Sequence, residues 1–351
     1  MRISVVFLGL ALISGLGRSQ QPQPAPAPQG VWQQQSSNTD VQLRGISAVS
    51  DKVAWASGAK GTVLRTTDGG KKWLQMEIVG ADNLDFRDIQ AFDQNTAYVL
   101  SIGPGDDSRI YKTADGGRIW QRQFTNRDPK AFYDCFAFWD STHGIAMSDS
   151  VDGKFPLIAT SDGINWNPVM VKKMPAALPN EGAFAASGTC IATFGKNDVW
   201  FATGGPAARV FHSADRGVNW TVAETPIIHG AATQGIFSLT FWSEKDGMAV
   251  GGDYKEPSKA GENAAITHDG GKSWKLTASF PHGYRSAVAI ASENPLHLVV
   301  VGTSGADETT DLGQKWTHLD DGNYNAVSYT NHAGWAVGPA GRIVRIGRSP
   351  E

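Results

Sequence analysis

The chain has 351 residues, among them 40 glycines and 12 tryptophans, and 31 basic side chains against 34 acidic ones give a formal charge of −3. That balance excludes the basic excess of a nucleic-acid binder, and the lack of any long amphipathic stretch excludes a helical bundle. Short β-type runs punctuated by Gly, Asp and Asn predict an all-β protein.

Residues 1–19 read as a secretory signal peptide: Arg2 supplies a thin positive region, Val5 to Leu16 is apolar but too short to span a bilayer, and Gly17 and Ser19 are small residues before a cut at Gln20. A buried N-terminal helix is the alternative. No cysteine follows the apolar stretch, so no lipid anchor is expected, and cleavage leaves no membrane span and a periplasmic or secreted chain. Residues 20–30 are Gln, Pro, Ala and Gly without apolar periodicity, a linker outside the fold. The two cysteines, Cys135 and Cys190, cannot form a metal site alone. Export permits a disulfide between them; two buried thiols are the other reading.

From residue 31 onward the chain repeats itself. Val31-Trp32-Gln33-Gln34 resembles a strand that follows a turn. The first full unit is Leu43 to Ile46, Val53 to Gly58 and Thr62 to Arg65, followed by Thr66-x-Asp68-x-Gly70-x-x-Trp73. The same Ser/Thr-x-Asp-x-Gly-x-x-Trp pattern recurs with Asp115 and Trp120, Asp215 and Trp220, Asp269 and Trp274, and Asp311 and Trp316; a copy at Thr160-Asp162-Gly163-Trp166 is one residue short. The spacing suits one four-stranded propeller blade per repeat. Asp followed by Gly makes a tight hairpin, the carboxylate accepts N–H groups of the turn, and the Trp wedges against its neighbour. Six copies of a catalytic acid would have no purpose, so these aspartates read as structural. The last unit, Tyr324 to Val327, Gly334 to Gly338 and Gly341 to Val344, has three strands and no turn of this kind after it. Its missing fourth strand is available at residues 31–35. The expected fold is a seven-bladed β-propeller over residues 31–347, its ring closed by the N-terminal strand, with 348–351 as a tail.

These residues resemble the Asp-box (BNR-type) propellers of the sialidase-like superfamily, and more closely the photosystem II stability/assembly factor-like family. That family's blades carry Gly-Trp-Ala-Val-Gly, then Gly-x-Ile, then Thr-x-Asp-Gly-Gly-x-x-Trp, matched here by Gly334 to Gly338, Gly341 to Ile343 and Thr267 to Trp274. The resemblance covers residues 31 to about 347 and implies a fold more firmly than a function.

A candidate site comes from aligning the blades on the hydrophobic residue that ends each first strand: Val49, Phe92, Phe138, Phe194, Phe241, Ile290 and Tyr329. Five positions earlier stand Arg44, Arg87, Tyr133, Thr189, Ile236, Arg285 and Tyr324, which should ring one mouth of the channel. Three arginines there would clamp a carboxylate or other anion, unless each pairs with a neighbour such as Asp88 or Asp134. The long connections, 149–155, 169–187, 225–235 and 252–264, gather on the same face, as insertions at a binding face do. Asp149, Asp152, Glu181, Phe184, Asp253 and Tyr254 are the candidate contacts there.

The expected function is therefore a non-enzymatic scaffold, monomeric, that recognises a protein or peptide bearing an acidic group; a carbohydrate is the second class of partner. The alternative is a glycoside hydrolase, with Arg44, Arg87 and Arg285 around a substrate carboxylate and Tyr324 with Glu181 as the reacting pair. The Phe/Tyr-Arg-Ile-Pro motif of sialidases is absent; Phe86-Arg87-Asp88-Ile89 departs from it. No cofactor is expected, since no glycine loop follows a strand and opens a helix.

Overall fold

In the computed structural model the described residues are Met1, 31–292 and 294–347. The expected signal peptide, linker and C-terminal tail lie outside them, Met1 aside. Among the described residues no helix is long and apolar enough to cross a membrane.

Seven antiparallel sheets of four strands each form the ring. Their inner strands are Leu43–Ala48, Asp85–Ala91, Tyr133–Asp140, Ile191–Phe194, Gln234–Phe241, Ala287–Ile290 and Ala326–Tyr329, for blades one to seven. Blade seven is completed by the N-terminal strand Val31–Gln35, which pairs antiparallel with Ile343–Gly347 from Val31↔Gly347 to Gln35↔Ile343. The orphan strand at the start and the missing strand at the end are thus one element. Gln35 fastens the closure: its Oε1 accepts the indole N–H groups of Trp73 at 3.0 Å and Trp335 at 3.2 Å, and its Nε2 donates to the Gly69 carbonyl at 2.9 Å. One amide thus bridges blades seven and one.

The core is distributed rather than central. Apolar clusters fill the interfaces between successive blades, such as Trp55 and Val63 of blade one against Phe86 and Val99 of blade two, and Ala56 and Leu64 against Trp335 and Ile343 across the closure. Second strands such as Ala54–Gly58 and Ala333–Val337 are buried along their length because both faces meet a neighbouring blade. The apolar area lies between blades, so the ring's axis remains a channel, a cavity of about 400 Å³ bordered by the inner-strand residues Ser47, Asp88 and Ser328 and by Thr189 just before the inner strand of blade four, among others.

The repeated turns lock themselves. In the fifth, the Thr267 hydroxyl donates to Asp269 Oδ1 at 2.9 Å and accepts the buried Gly271 N–H at 3.0 Å, while Oδ1 also accepts the N–H groups of Lys272 and Ser273. The turns at Asp68, Asp115, Asp215 and Asp311 repeat the hydroxyl-to-carboxylate bond. The shortened copy keeps both features: Thr160 Oγ1 accepts the Gly163 N–H, and Asp162 accepts the N–H groups of Ile164 and Asn165.

Candidate functional site at the channel mouth

Near the start of the inner strand, four blades break the ladder in the same way. One residue is skipped in the pairing: Arg44 between Leu43 and Gly45, Arg87 between Phe86 and Asp88, Asp134 between Tyr133 and Cys135, and Phe237 between Ile236 and Ser238. A β-bulge re-aims the extra side chain and bends the strand locally, while the pairing resumes on either side of it. The candidate site is thus built by a repeated backbone irregularity, and its chemistry differs from blade to blade.

Arg44 and Arg87 come together there. Arg87 Nε donates to Asp85 Oδ2 at 2.8 Å, and its Nη1 donates to the Ala185 carbonyl at 3.0 Å. Among the described residues Arg44 has only a long contact, Nη1 to Asn325 Oδ1 at 3.5 Å, and its Nε is buried without a partner. Burial, and then the charge of Arg87, lower its pKa to about 10. Neither expected counter-ion neutralises the pair directly. Asp88 is buried and accepts the Phe136 N–H at 2.8 Å, and burial holds its carboxyl well above the usual carboxylate range. Asp134 is buried with Oδ2 unpartnered; burial and the nearby charge of Asp149 raise its pKa, against a smaller opposite pull from Arg87. The carboxylate that sequence reasoning missed is Asp85, two residues before Arg87.

Arg285 does not join them. Its side chain is fully buried and pairs with Asp307, with Nε to Oδ2 at 2.9 Å and Nη2 on the same oxygen. The sequence alignment slipped by one residue: Ile290 pairs with Leu298 at the end of its ladder, whereas in blades one and two the ladder ends at Ala48↔Ala54 and Ala91↔Ala97, one residue short of Val49 and Phe92. Side chains alternate with a period of two along a strand, so a slip of one puts the arginine on the wrong side.

The mouth is crossed by the chain itself. The long connection from blade three to blade four reaches over the ring between residues 182 and 189. Ala183 N–H donates to Asp149 Oδ1 of blade three at 2.8 Å, and Arg87 of blade two holds the Ala185 carbonyl. Phe184 stacks on Phe237 of blade five at 3.8 Å between centroids, and Ser187 Oγ donates to the Ser286 carbonyl beside blade six at 2.8 Å. Gly188, at φ +78°, passes so close to Asp88 that a Cβ would lie 2.3 Å from Oδ1. Cys190, at the end of this segment, is bonded to Cys135 on the inner strand of blade three, which settles the two cysteine readings as a disulfide.

Several candidate contacts are anchors of this crossing segment instead of ligands' partners. Glu181 is buried: Oε1 accepts from Thr203 Oγ1 at 2.6 Å and Arg209 Nε at 2.7 Å, and Oε2 accepts from Leu178 N–H and Arg209 Nη2. Asp149 has its pKa pushed up to about 6 by burial, with the Ala183 N–H opposing. Tyr133 is buried edge-on against Phe124, and Tyr324 is buried with its hydroxyl donating to Asp320 at 2.6 Å. Asp253 accepts from Lys255 N–H and Gln234 Nε2, and Asp152 pairs with Lys130 on the surface. Tyr254 is 45% exposed and meets the edges of Phe184 and Phe237. With Tyr284, packed on Phe237 and electrostatically coupled to Arg44 and Arg87, these rings make an aromatic wall beside the arginines. Phe237 and Tyr284 were not legible as site residues; a bulge leaves no mark in hydrophobic periodicity. The hydrolase constellation is not assembled, because Arg285, Glu181 and Tyr324 are each held by a different partner: Asp307, Arg209 and Asp320.

Residues 25–131 match the family model of photosynthesis system II assembly factor YCF48. The photosystem II assembly lipoprotein Ycf48 of Picosynechococcus sp. is 24% identical over 289 residues, covering 69% of this chain and 76% of that protein. Among solved structures, YCF48 bound to a D1 peptide superposes with a TM-score of 0.66 at 14% identity, covering 93% of this chain and 99% of that one. The propeller is photosystem II assembly factor-like. Virginiamycin B lyase from Staphylococcus aureus superposes with the same TM-score at 12% identity over 91% of this chain and 99% of its own, so the fold alone carries enzymes as well. In this assembly factor-like chain, the mouth of the ring combines a cationic pair, an aromatic wall and a crossing segment. Elsewhere among the described residues, His282, Asp307 and His318 bring potential metal-ligand atoms within 4.8 Å of one another.

Proposed function

We propose that the chain is an exported, non-enzymatic scaffold that binds an acidic peptide or protein segment where Arg44 and Arg87 meet the aromatic wall. The observation that carries this reading is Arg44. Among the described residues no carboxylate pairs with it, its Nε lacks an acceptor, and it stands beside a second guanidinium. A buried or half-buried donor without a partner costs free energy, and a carboxylate from outside would supply the missing acceptor. Phe184, Phe237 and Tyr254 would hold the apolar part of the same segment. That a similar propeller is solved with a D1 peptide, and that a curated relative is an assembly lipoprotein, support a peptide partner and export.

The test is binding of a D1 peptide, and of the same peptide with its acidic side chains amidated, to the full chain and to Arg44→Ala. One charge-assisted hydrogen bond at about 1.5–3 kcal/mol predicts a loss of roughly ten- to a hundredfold for Arg44→Ala. Affinity should fall with added salt. Equal affinity of the wild-type chain and Arg44→Ala, or preference for a neutral oligosaccharide, would move the site away from the arginines. N-terminal sequencing of the protein from its native envelope checks export: a start near Gln20 is expected, and an intact Met1 refutes it.

A further inference from the structure

We infer that His282, His318 and Asp307, on the rim of blade six, form a binding site for a late first-row divalent cation of the zinc(II) or copper(II) class. This site stands apart from the arginine pair and does not rest on the peptide reading.

The three donors come from three neighbouring pieces of chain. Asp307 lies on the third strand of blade six, and His318 sits directly opposite it on the outer strand. His282 arrives from the connection that precedes the blade. Both imidazoles aim Nδ1 at one carboxylate oxygen: His282 Nδ1 lies 2.6 Å and His318 Nδ1 3.3 Å from Asp307 Oδ1, with ring centroids 5.4 Å apart. Two imidazole nitrogens and one carboxylate oxygen, with a fourth position left to water, are a donor set that suits zinc or copper. In a tetrahedral site with bonds of about 2.0–2.2 Å, neighbouring donors stand about 3.3 Å apart. His318 already meets that spacing, and His282, with 58% of its side chain exposed, is free to swing out to it.

The surroundings fix the ligands as a metal site requires. Asp307 is immobilised through its other oxygen, Oδ2, by Arg285 Nε and Nη2 and by the His282 backbone N–H at 3.1 Å, which leaves Oδ1 facing the imidazoles. His318 Nε2 lies 2.8 Å from Asp321 Oδ1. That contact is the carboxylate–imidazole support found behind metal ligands. The buried arginine that sequence alignment had placed at the channel mouth thus acts here, by orienting the carboxylate.

Isothermal titration of the metal-free full chain with zinc chloride, and separately with copper sulfate, tests the site. One cation per chain is expected. His282→Ala and His318→Ala should each weaken binding at least about tenfold, and Asp321→Asn by about tenfold through loss of the outer contact. His268→Ala, which removes an exposed histidine paired with Asp246 elsewhere, should leave it unchanged. Near-ultraviolet circular dichroism reports whether each variant is folded. Absence of saturable one-to-one binding by the wild-type chain, or binding that survives in the folded His282→Ala, His318→Ala double variant, overturns the inference.

Discussion

The two faces of the ring are held by different physics. On the face of the repeated turns, each turn closes on itself through a hydroxyl, a carboxylate and a few N–H groups within a handful of residues. On the mouth face the contacts are long-range and at least partly buried: Glu181 with Arg209, Asp149 with Ala183, Arg87 with Ala185, and the Cys135–Cys190 bond. Local locks can be repeated cheaply in sequence and carry no information about a partner. The long-range ones occur once each, and they position the groups that a partner would meet.

The contrast is broken most directly at the buried ion pair. Glu181→Ala leaves the Arg209 guanidinium buried without its carboxylate, and breaking such a pair costs about 3–5 kcal/mol. Chemical denaturation should show a loss of that size, together with faster proteolysis between residues 169 and 189. A loss no larger than that of a turn mutation would mean the crossing segment is not anchored there.

Next comes the disulfide. Replacing both Cys135 and Cys190 by Ser removes a bond that closes a long loop in the unfolded chain, worth about 2–4 kcal/mol. Reducing agent should reproduce the loss in the wild-type chain and leave the double variant unaffected. If reductant lowers the stability of both equally, the bond is not its cause.

A pH effect should also belong to the mouth face. Burial raises the Asp149 pKa to about 6, above an unfolded value near 4. Between those two values the folded state holds more protons than the unfolded state, so this group's contribution falls as pH rises from about 4 to about 6 and is flat beyond. Asp149→Asn keeps an oxygen for the Ala183 N–H and removes the titration. It should be more stable than wild type at pH 7, by up to about 3 kcal/mol, with the gap closing near pH 4. A gap that does not vary with pH would place the effect elsewhere.

Sequence alone gave access to what repeats. The turn aspartates, the blade count and the pairing of residues 31–35 with the last blade all follow from a pattern with period near one blade, and the sheets bear out the blade count and the pairing. What occurs once was harder to read. Arg285 was misplaced because a ladder's end is not marked in the sequence to within one residue. Glu181 was taken for a surface contact because its partner Arg209 is separated from it by a loop and two strands. His282 and His318 drew no notice, since metal spacing was sought only among cysteines. Phe237 reaches the mouth through a bulge, which alters direction without altering composition.

The smallest effects are expected on the turn face, and they divide the lock into its parts. In the turn of Asp269, the Thr267 hydroxyl accepts the Gly271 N–H out of reach of water, whereas the N–H groups of Lys272 and Ser273 that reach the Asp269 carboxylate are exposed. Thr267→Val keeps the shape and strands a buried donor, which costs about 1–3 kcal/mol; Asp269→Ala lets water replace the lost acceptor and costs about 0.5–1 kcal/mol. Hydrogen bonds from Ser273 Nα–H and Oγ and from Thr267, acting against partial burial, hold the Asp269 pKa down at about 2. Its share of stability is therefore kept above the unfolded pKa near 4 and lost only as pH falls from there toward 2. Melting curves of the two variants at pH 7 and pH 3 separate the roles. Thr267→Val should be the more damaging at pH 7, and the deficit of Asp269→Ala should shrink at pH 3. Neither change should alter affinity for a peptide at the mouth, because the turn and the arginines lie on opposite faces of the ring. A turn variant that melts like the wild type but binds the peptide less well would show that the two faces are coupled.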